Sequence, residues 1–140
     1  MKMKTNPMNE RGFIEIKRDE QGQTNVEILL ADHTLWLSKQ QMADLLEVRV
    51  SVISNSLQTI IQSGILQEEA VSCVHKDGRQ REVILYNLDA FISVCFRINS
   101  QNAEAVREWA MKTIWGFCRF KYQELMMESF GKKEKKYIVS

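Results

Sequence analysis

Between Val48 and Ser63 the chain carries Arg49, Asn55 and Gln58 among serines and aliphatic residues, and no carboxylate at all. Placed on one helix, Arg49, Ser51, Ser54, Asn55 and Gln58 fall near its start and on its outward side. These groups can read nucleic-acid bases: Asn and Gln pair bidentately with adenine, Arg with guanine, and Ser reaches a phosphate or a base. A plain solvated face is also polar, but it usually mixes Glu with Lys for salt bridging. Here nothing on the face would repel a phosphate. A second cluster, His75–Arg81 (HKDGRQR), sets three Lys/Arg against one acid. Lys76, Arg79 and Arg81 near a hairpin tip would touch a DNA backbone or enter the adjacent minor groove. A hairpin whose tip is charged only for solubility would carry the same residues.

Other chemistry finds little support. His33 sits alone, and His75 with nearby Cys73 cannot close a zinc site without further ligands. No Ser/His/Asp set, pair of catalytic carboxylates or glycine-rich phosphate loop occurs, so neither an enzyme, a bound metal nor a cofactor is expected. Three cysteines at wide spacing, with no C-x-x-C pair, suit reduced thiols better than a disulfide framework. Cys95 and Cys118 fall at helical apolar positions and read as buried packing residues. Trp36, Trp109 and Trp115 read as core or dimer contacts.

The elements that would hold the two polar clusters can be read from caps and periodicity. Ser38–Gln41 (SKQQ) is a capping box, and Met42, Leu45 and Leu46 follow it at helical spacing. Ala43 is the small residue that a close helix crossing requires. Glu47 stands in the turn where glycine is usual, and Val48 and Ile53 are the apolar pegs. A second helix begins at Ser51 or its neighbour, buries Ile53, Leu57, Ile60 and Ile61, and ends before Gly64 as C′ residue. Across residues 36–61 this is helix-turn-helix spacing.

Val71–His75 and Gln80–Tyr86 then predict a β-hairpin in the role of a wing, with Asp77 and Gly78 in a type I′ turn. Upstream, Ile14 and Ile16, then Val26, Ile28 and Leu30, alternate with mostly polar residues around Gly22 and predict another hairpin. Leu35–Leu37 reads as a third strand. Asn87 caps a helix over Leu88–Ile98 that buries Leu88, Phe91, Ile92, Cys95 and Phe96. From Asn99 and Ser100 onward a long amphipathic helix carries Ala103, Val106, Trp109, Ala110, Ile114, Phe117, Cys118, Leu125 and Met126, with any bend at Gly116. The expected fold class is α+β: an N-terminal β-hairpin, a winged helix-turn-helix and a long C-terminal amphipathic helix. One domain over residues 13–130 is expected, between a flexible arm (1–12) and a basic disordered tail (131–140).

Composition sets the outer limits. In 140 residues, 44% are apolar and 26% charged, ordinary globular values. No apolar run approaches a bilayer span, and the lysines near the N-terminus have no apolar stretch behind them to make a secretory signal. A cytoplasmic protein without membrane association is expected. The net charge of +1 is low for a DNA-binding domain, so any positive surface must be local.

Two stretches resemble the RhuM family of bacterial proteins, named for a virulence-associated member and often found near mobile elements. One is Thr34–Leu45 (TLWLSKQQMADL) with Ser51–Ser54 (SVIS). The other is Tyr86–Val94 (YNLDAFISV), continuing through Phe96–Ser100 (FRINS) to Arg107–Ala110 (REWA). The resemblance covers about residues 13–120. It implies a DNA-binding module distantly like the amino-terminal domains of phage antirepressor and Bro-type proteins, and it does not supply a biochemical activity. Leu46 stands where the family has Phe, Glu47 where it has a small turn residue, and Val50 where it has a polar one.

The expected function is therefore sequence-specific binding of double-stranded DNA, in transcription regulation or as a mobile-element accessory factor. The second helix would lie in the major groove and a homodimer would form through residues 100–128. The alternative is a protein-interaction module that uses the same scaffold without DNA.

Overall fold

Alternating apolar residues build the first element. The computed structural model describes residues 12–129; the expected tail and all of the expected arm except Gly12 lie outside them. Strands β1 (Phe13–Arg18) and β2 (Thr24–Leu29) pair antiparallel, from Phe13 opposite Leu29 to Arg18 opposite Thr24. Ile14 is fully buried, and Ile16, Val26 and Ile28 pack on the core beside it. Gly12 belongs to this packing rather than to an arm. Its φ is +71°, and a Cβ there would stand 2.6 Å from the Leu29 carbonyl oxygen.

The next segment corrects one expectation. Leu35 and Leu37 are buried, but Leu35–Leu37 is not a strand. It makes one antiparallel bridge, Leu37 to Tyr86, in which each amide donates to the other carbonyl at 2.8 Å. Ser38 immediately caps helix α1 (Lys39–Leu46). Its hydroxyl accepts from the Gln41 amide at 3.1 Å, while the Gln41 side chain accepts from the Ser38 amide at 2.9 Å. This is the reciprocal box read from the sequence.

Helix α2 (Val50–Gln62) follows after Glu47, Val48 and Arg49, and buries Ile53, Ser56, Leu57 and Ile60. Ile61 is only half-buried. The helix ends as expected at Gly64, whose φ is +84°, and the Gly64 amide donates to the Ile61 carbonyl at 3.1 Å. The Ser63 hydroxyl donates to the Ile60 carbonyl at 2.8 Å, satisfying a further terminal acceptor.

A single turn of helix, α3 (Glu68–Val71), leads into β3 (Ser72–Lys76) and β4 (Glu82–Tyr86), paired from Ser72 opposite Tyr86 to Lys76 opposite Glu82. The turn between them is not type I′. Gly78 lacks a positive φ and the left-handed residue is Gln80, at +64°. The Gln80 amide donates to the Asp77 carbonyl and the Asp77 amide to the Arg81 carbonyl, both at 2.9 Å. This is a three-residue loop, a type I turn followed by a left-handed residue. The β1–β2 loop has the same form, with Gly22 at the left-handed place and φ +82°. In each loop the leading aspartate accepts two backbone amides: Asp19 from Gln21 and Gln23, Asp77 from Arg79 and Arg81, all within 3.0 Å.

Asn87 caps α4 (Leu88–Cys95) by accepting from the Ala90 amide at 3.1 Å. Ala90, Phe91, Val94 and Cys95 are buried on α4, whereas Phe96 is half exposed because the helix has ended and its C-cap turns outward. The last element, α5 (Gln101–Ser129), continues through Gly116. The chain divides into two units, Met1–Glu108 and Trp109–Ser140. In the first, one core joins Ile14, Leu35 and Leu37 to Met42, Leu46, Ile53, Leu57, Phe91, Val94 and Val106. In the second, the described helix exposes every residue from Met111 to Glu128, including Cys118, which is therefore not a packing residue. The fold is α+β, with two small antiparallel hairpins and a long C-terminal helix.

The β3–β4 loop makes two predictions. A left-handed backbone costs a non-glycine residue about 1 kcal/mol or more, so Gln80→Gly should raise the unfolding free energy by up to about 1 kcal/mol in urea titration. The amides of Arg81 and Arg79 hold the Asp77 carboxyl below its ordinary value of 3.8. With a folded pKa below the unfolded one, the support Asp77 gives the loop is complete above that ordinary value and fades as pH falls below it. The Arg79 and Arg81 amide resonances should therefore titrate together, with a midpoint under 3.8.

Candidate nucleic-acid interface

Burial of Ile53, Leu57 and Ile60 fixes which side of α2 faces water. Arg49, Ser51, Asn55 and Gln58 are exposed and Ser54 half-buried, so the five polar residues read from the sequence share the outward side. Val52 is exposed among them at 37%, while Val50 packs on the core. The start of α2 differs from those of α1 and α4. Its N-cap is Arg49, with no side-chain cap and no acid in the first turn. A cation at the positive end of a helix dipole is unfavourable, and an anion placed there would relieve it.

The connection between α1 and α2 depends on a left-handed Glu47, φ +59° and ψ +47°. Its strain is met by local bonds: the Glu47 amide donates to the Ala43 carbonyl, and so does the Val48 amide, at 3.1 Å. Ala43, the small residue expected at the helix crossing, is 1% exposed. The Glu47 carboxylate lies 3.6 Å from the Arg18 guanidinium at the end of β1. The one acid in the connection is thus drawn toward a cation from another element.

Two further residues hold this region, and sequence reasoning missed both. Asn102, 7% exposed, donates through Nδ2 to the Leu45 carbonyl at 2.8 Å and accepts at Oδ1 from Arg18 Nη2 at 3.0 Å. Arg107 donates through Nη1 to the carbonyls of Cys95 and Ile98 at 2.7 and 2.8 Å. The first two turns of α5 therefore supply side chains to the unsatisfied C-terminal carbonyls of α1 and α4. A signal was present. Asn102 and Arg107 adjoin the buried Ala103 and Val106, where only a hydrogen-bonded polar group is tolerated.

The β3–β4 hairpin carries the second cluster. Lys76 and Arg79 are exposed and make no ion pair among the described residues. Arg81 turns back to Asp77, 3.4 Å away. Ser38, Gln40 and Gln41 at the start of α1, with His75, Lys76 and Gly78 of the hairpin, line a shallow cleft of about 430 Å³. The cleft brings Lys76 to the start of α1. The α2 residues form a separate group, positioned by the packing of α2 on α1 and α4. Cys95 is buried, which pushes its thiol pKa far up and leaves it inert at neutral pH.

Comparisons of the chain with known protein families, with curated proteins and with solved structures find no match. No helix of the described residues is long and apolar enough to cross a membrane. Among those residues, no group of three or more His, Cys, Asp or Glu could hold a metal ion.

Removing Asn102 tests the frame rather than the polar face. Asn102→Leu leaves the Leu45 carbonyl without its partner and should cost about 2 kcal/mol, read as a shift in the urea midpoint. Asn55→Ala, on the exposed face, should stay within about 0.5 kcal/mol of the parent.

Proposed function

We propose that the protein is a sequence-specific DNA-binding protein with a winged helix-turn-helix, acting in transcription regulation or as an accessory factor of a mobile element. In this reading α1 braces the motif, α2 lies in the major groove and the β3–β4 hairpin is the wing. The observation that carries it is the exposed side of α2. Arg49, Ser51, Ser54, Asn55 and Gln58 lie there together, without a carboxylate, at a helix start that lacks a side-chain cap. The Leu37–Tyr86 pair supports the wing, because it ties the last residue of the hairpin to the segment just before α1. The same pair joins the two stretches that resemble the RhuM family, and membership of that family is part of the proposal. So are a cytoplasmic location, the absence of catalysis and a homodimer through α5, since operator recognition by this motif usually takes two copies.

A second reading, a protein-interaction module, is favoured by one observation. Val74 and Ile84 face each other across the hairpin and are 62% and 46% exposed. An apolar pair on a strand face suits a protein partner better than a phosphate backbone.

Selection of duplexes from a random pool, followed by binding at several salt concentrations, separates the two. DNA binding predicts an enriched motif and a log–log salt slope near about −3, for roughly three or four phosphate contacts per copy. Asn55→Ala with Gln58→Ala should relax the selected sequence. Lys76→Ala and Arg79→Ala should weaken all duplexes alike, each flattening the slope by about one, and Arg81→Ala should do less because Asp77 already holds it. No enrichment, and affinity unchanged in every variant, would leave only the protein-interaction reading.

A further inference from the structure

The broadest apolar surface among the described residues lies on α5 beyond Trp109. Met111, Ile114, Trp115, Phe117, Tyr122 and Leu125 are each between 51% and 63% exposed. With Met126 they leave roughly 800 Å² of side-chain surface in water, more than the few hundred Å² usual on a monomer. At 3.6 residues per turn, Met111, Ile114, Cys118 and Leu125 fall within an arc of about 60°. Trp115 and Tyr122 border that line on one side and Lys121 on the other.

We propose that this line is covered by the same line of a second copy of the chain, running antiparallel, with the two-fold axis near Cys118. The inference deepens the homodimer proposed above and does not depend on DNA binding. Its basis is a pattern that reads alike in both directions from Cys118. Four residues away stand Ile114 and Tyr122, and seven away Met111 and Leu125.

Under a two-fold axis, Met111 meets Leu125 of the second copy and Ile114 meets Tyr122. Lys121, over the Phe117 ring at 5.7 Å and 3.5 Å from the Glu124 carboxylate, stays at the edge of the line. Cys118, the smallest side chain of the line, lies where the helices cross and lets them approach. A parallel pair in register would set Lys121 against Lys121 along the edge of the apolar line, and Glu128 against Glu128 one heptad on, bringing like charges together. Covering the line on both copies removes on the order of 1,000 Å² from water, the lower bound for a specific interface. Because the patch meets itself, assembly closes at two copies.

Two single-site chains test the direction. Met111→Cys and Leu125→Cys are each made in a Cys73→Ser, Cys118→Ser background, leaving only buried Cys95 besides the new thiol. They are oxidised alone and as a mixture. In a parallel pair the two positions stand about 21 Å apart, and each chain would cross-link to itself. The antiparallel pair predicts at least ten-fold more disulfide dimer in the mixture than in either chain alone. It also predicts a Cys118–Cys118 dimer in the Cys73→Ser chain. Self-cross-linking of both single-site chains overturns the antiparallel arrangement while leaving a dimer. A sedimenting monomer at tens of micromolar, with no cross-link anywhere, overturns the homodimer itself. Neither result bears on DNA binding.

Discussion

One backbone pair holds the architecture together. Leu37 and Tyr86 exchange two hydrogen bonds at 2.8 Å while both residues are 97% removed from solvent. In such a place each peptide group must find a partner, because an orphaned buried amide or carbonyl costs more than a made bond gains. The residues that follow each member are helix caps, Ser38 for α1 and Asn87 for α4. The bridge therefore sets two helix starts side by side. Thr34 reinforces it by accepting the Leu88 amide at 3.1 Å. The hairpin that ends at Tyr86 is fixed to the segment before α1 by the same two bonds.

The far ends of those two helices raise the opposite problem, of carbonyls without donors. The start of α5 answers both, with Asn102 to Leu45 and Arg107 to Cys95 and Ile98. Neutral and charged donors serve the same need, the first from buried Asn102 and the second from half-buried Arg107. Arg18 then links Asn102 and the Glu47 carboxylate to the first hairpin. The connection between α1 and α2 is thus held from both sides. An unpreferred left-handed glutamate persists there because neighbouring bonds over-determine its backbone.

The near-neutral charge takes on meaning from where the charges go. Glu47 is drawn to Arg18 and Asp77 to its own loop, which removes two carboxylates from competition with an anionic ligand. Arg49, Lys76 and Arg79 remain outward. Such a surface can be locally positive on a chain of net charge +1. The apolar excess is equally local, concentrated on α5 past Trp109, whereas the polar side of α2 exposes only Val52 among its apolar residues.

The sequence by itself determined the short-range physics: which residues cap α1 and α4, where α2 stops, which side of it is buried, and that two hairpins flank the helices. These follow from bonds and periodicities spanning a few residues. The β3–β4 turn departs from the type I′ that Asp77 and Gly78 predict, because a three-residue loop closed by the Asp77 carboxylate competes with the two-residue one. Leu35–Leu37 looked like a strand, yet Tyr86 offers only one residue of pairing. The roles of Asn102, Arg107 and Arg18 were decided by tertiary structure alone, since their partners lie up to 84 residues away. So was the frame of the α1–α2 pair. Its polar face is written in adjacent residues, while the hold on its turn comes from the two ends of the fold.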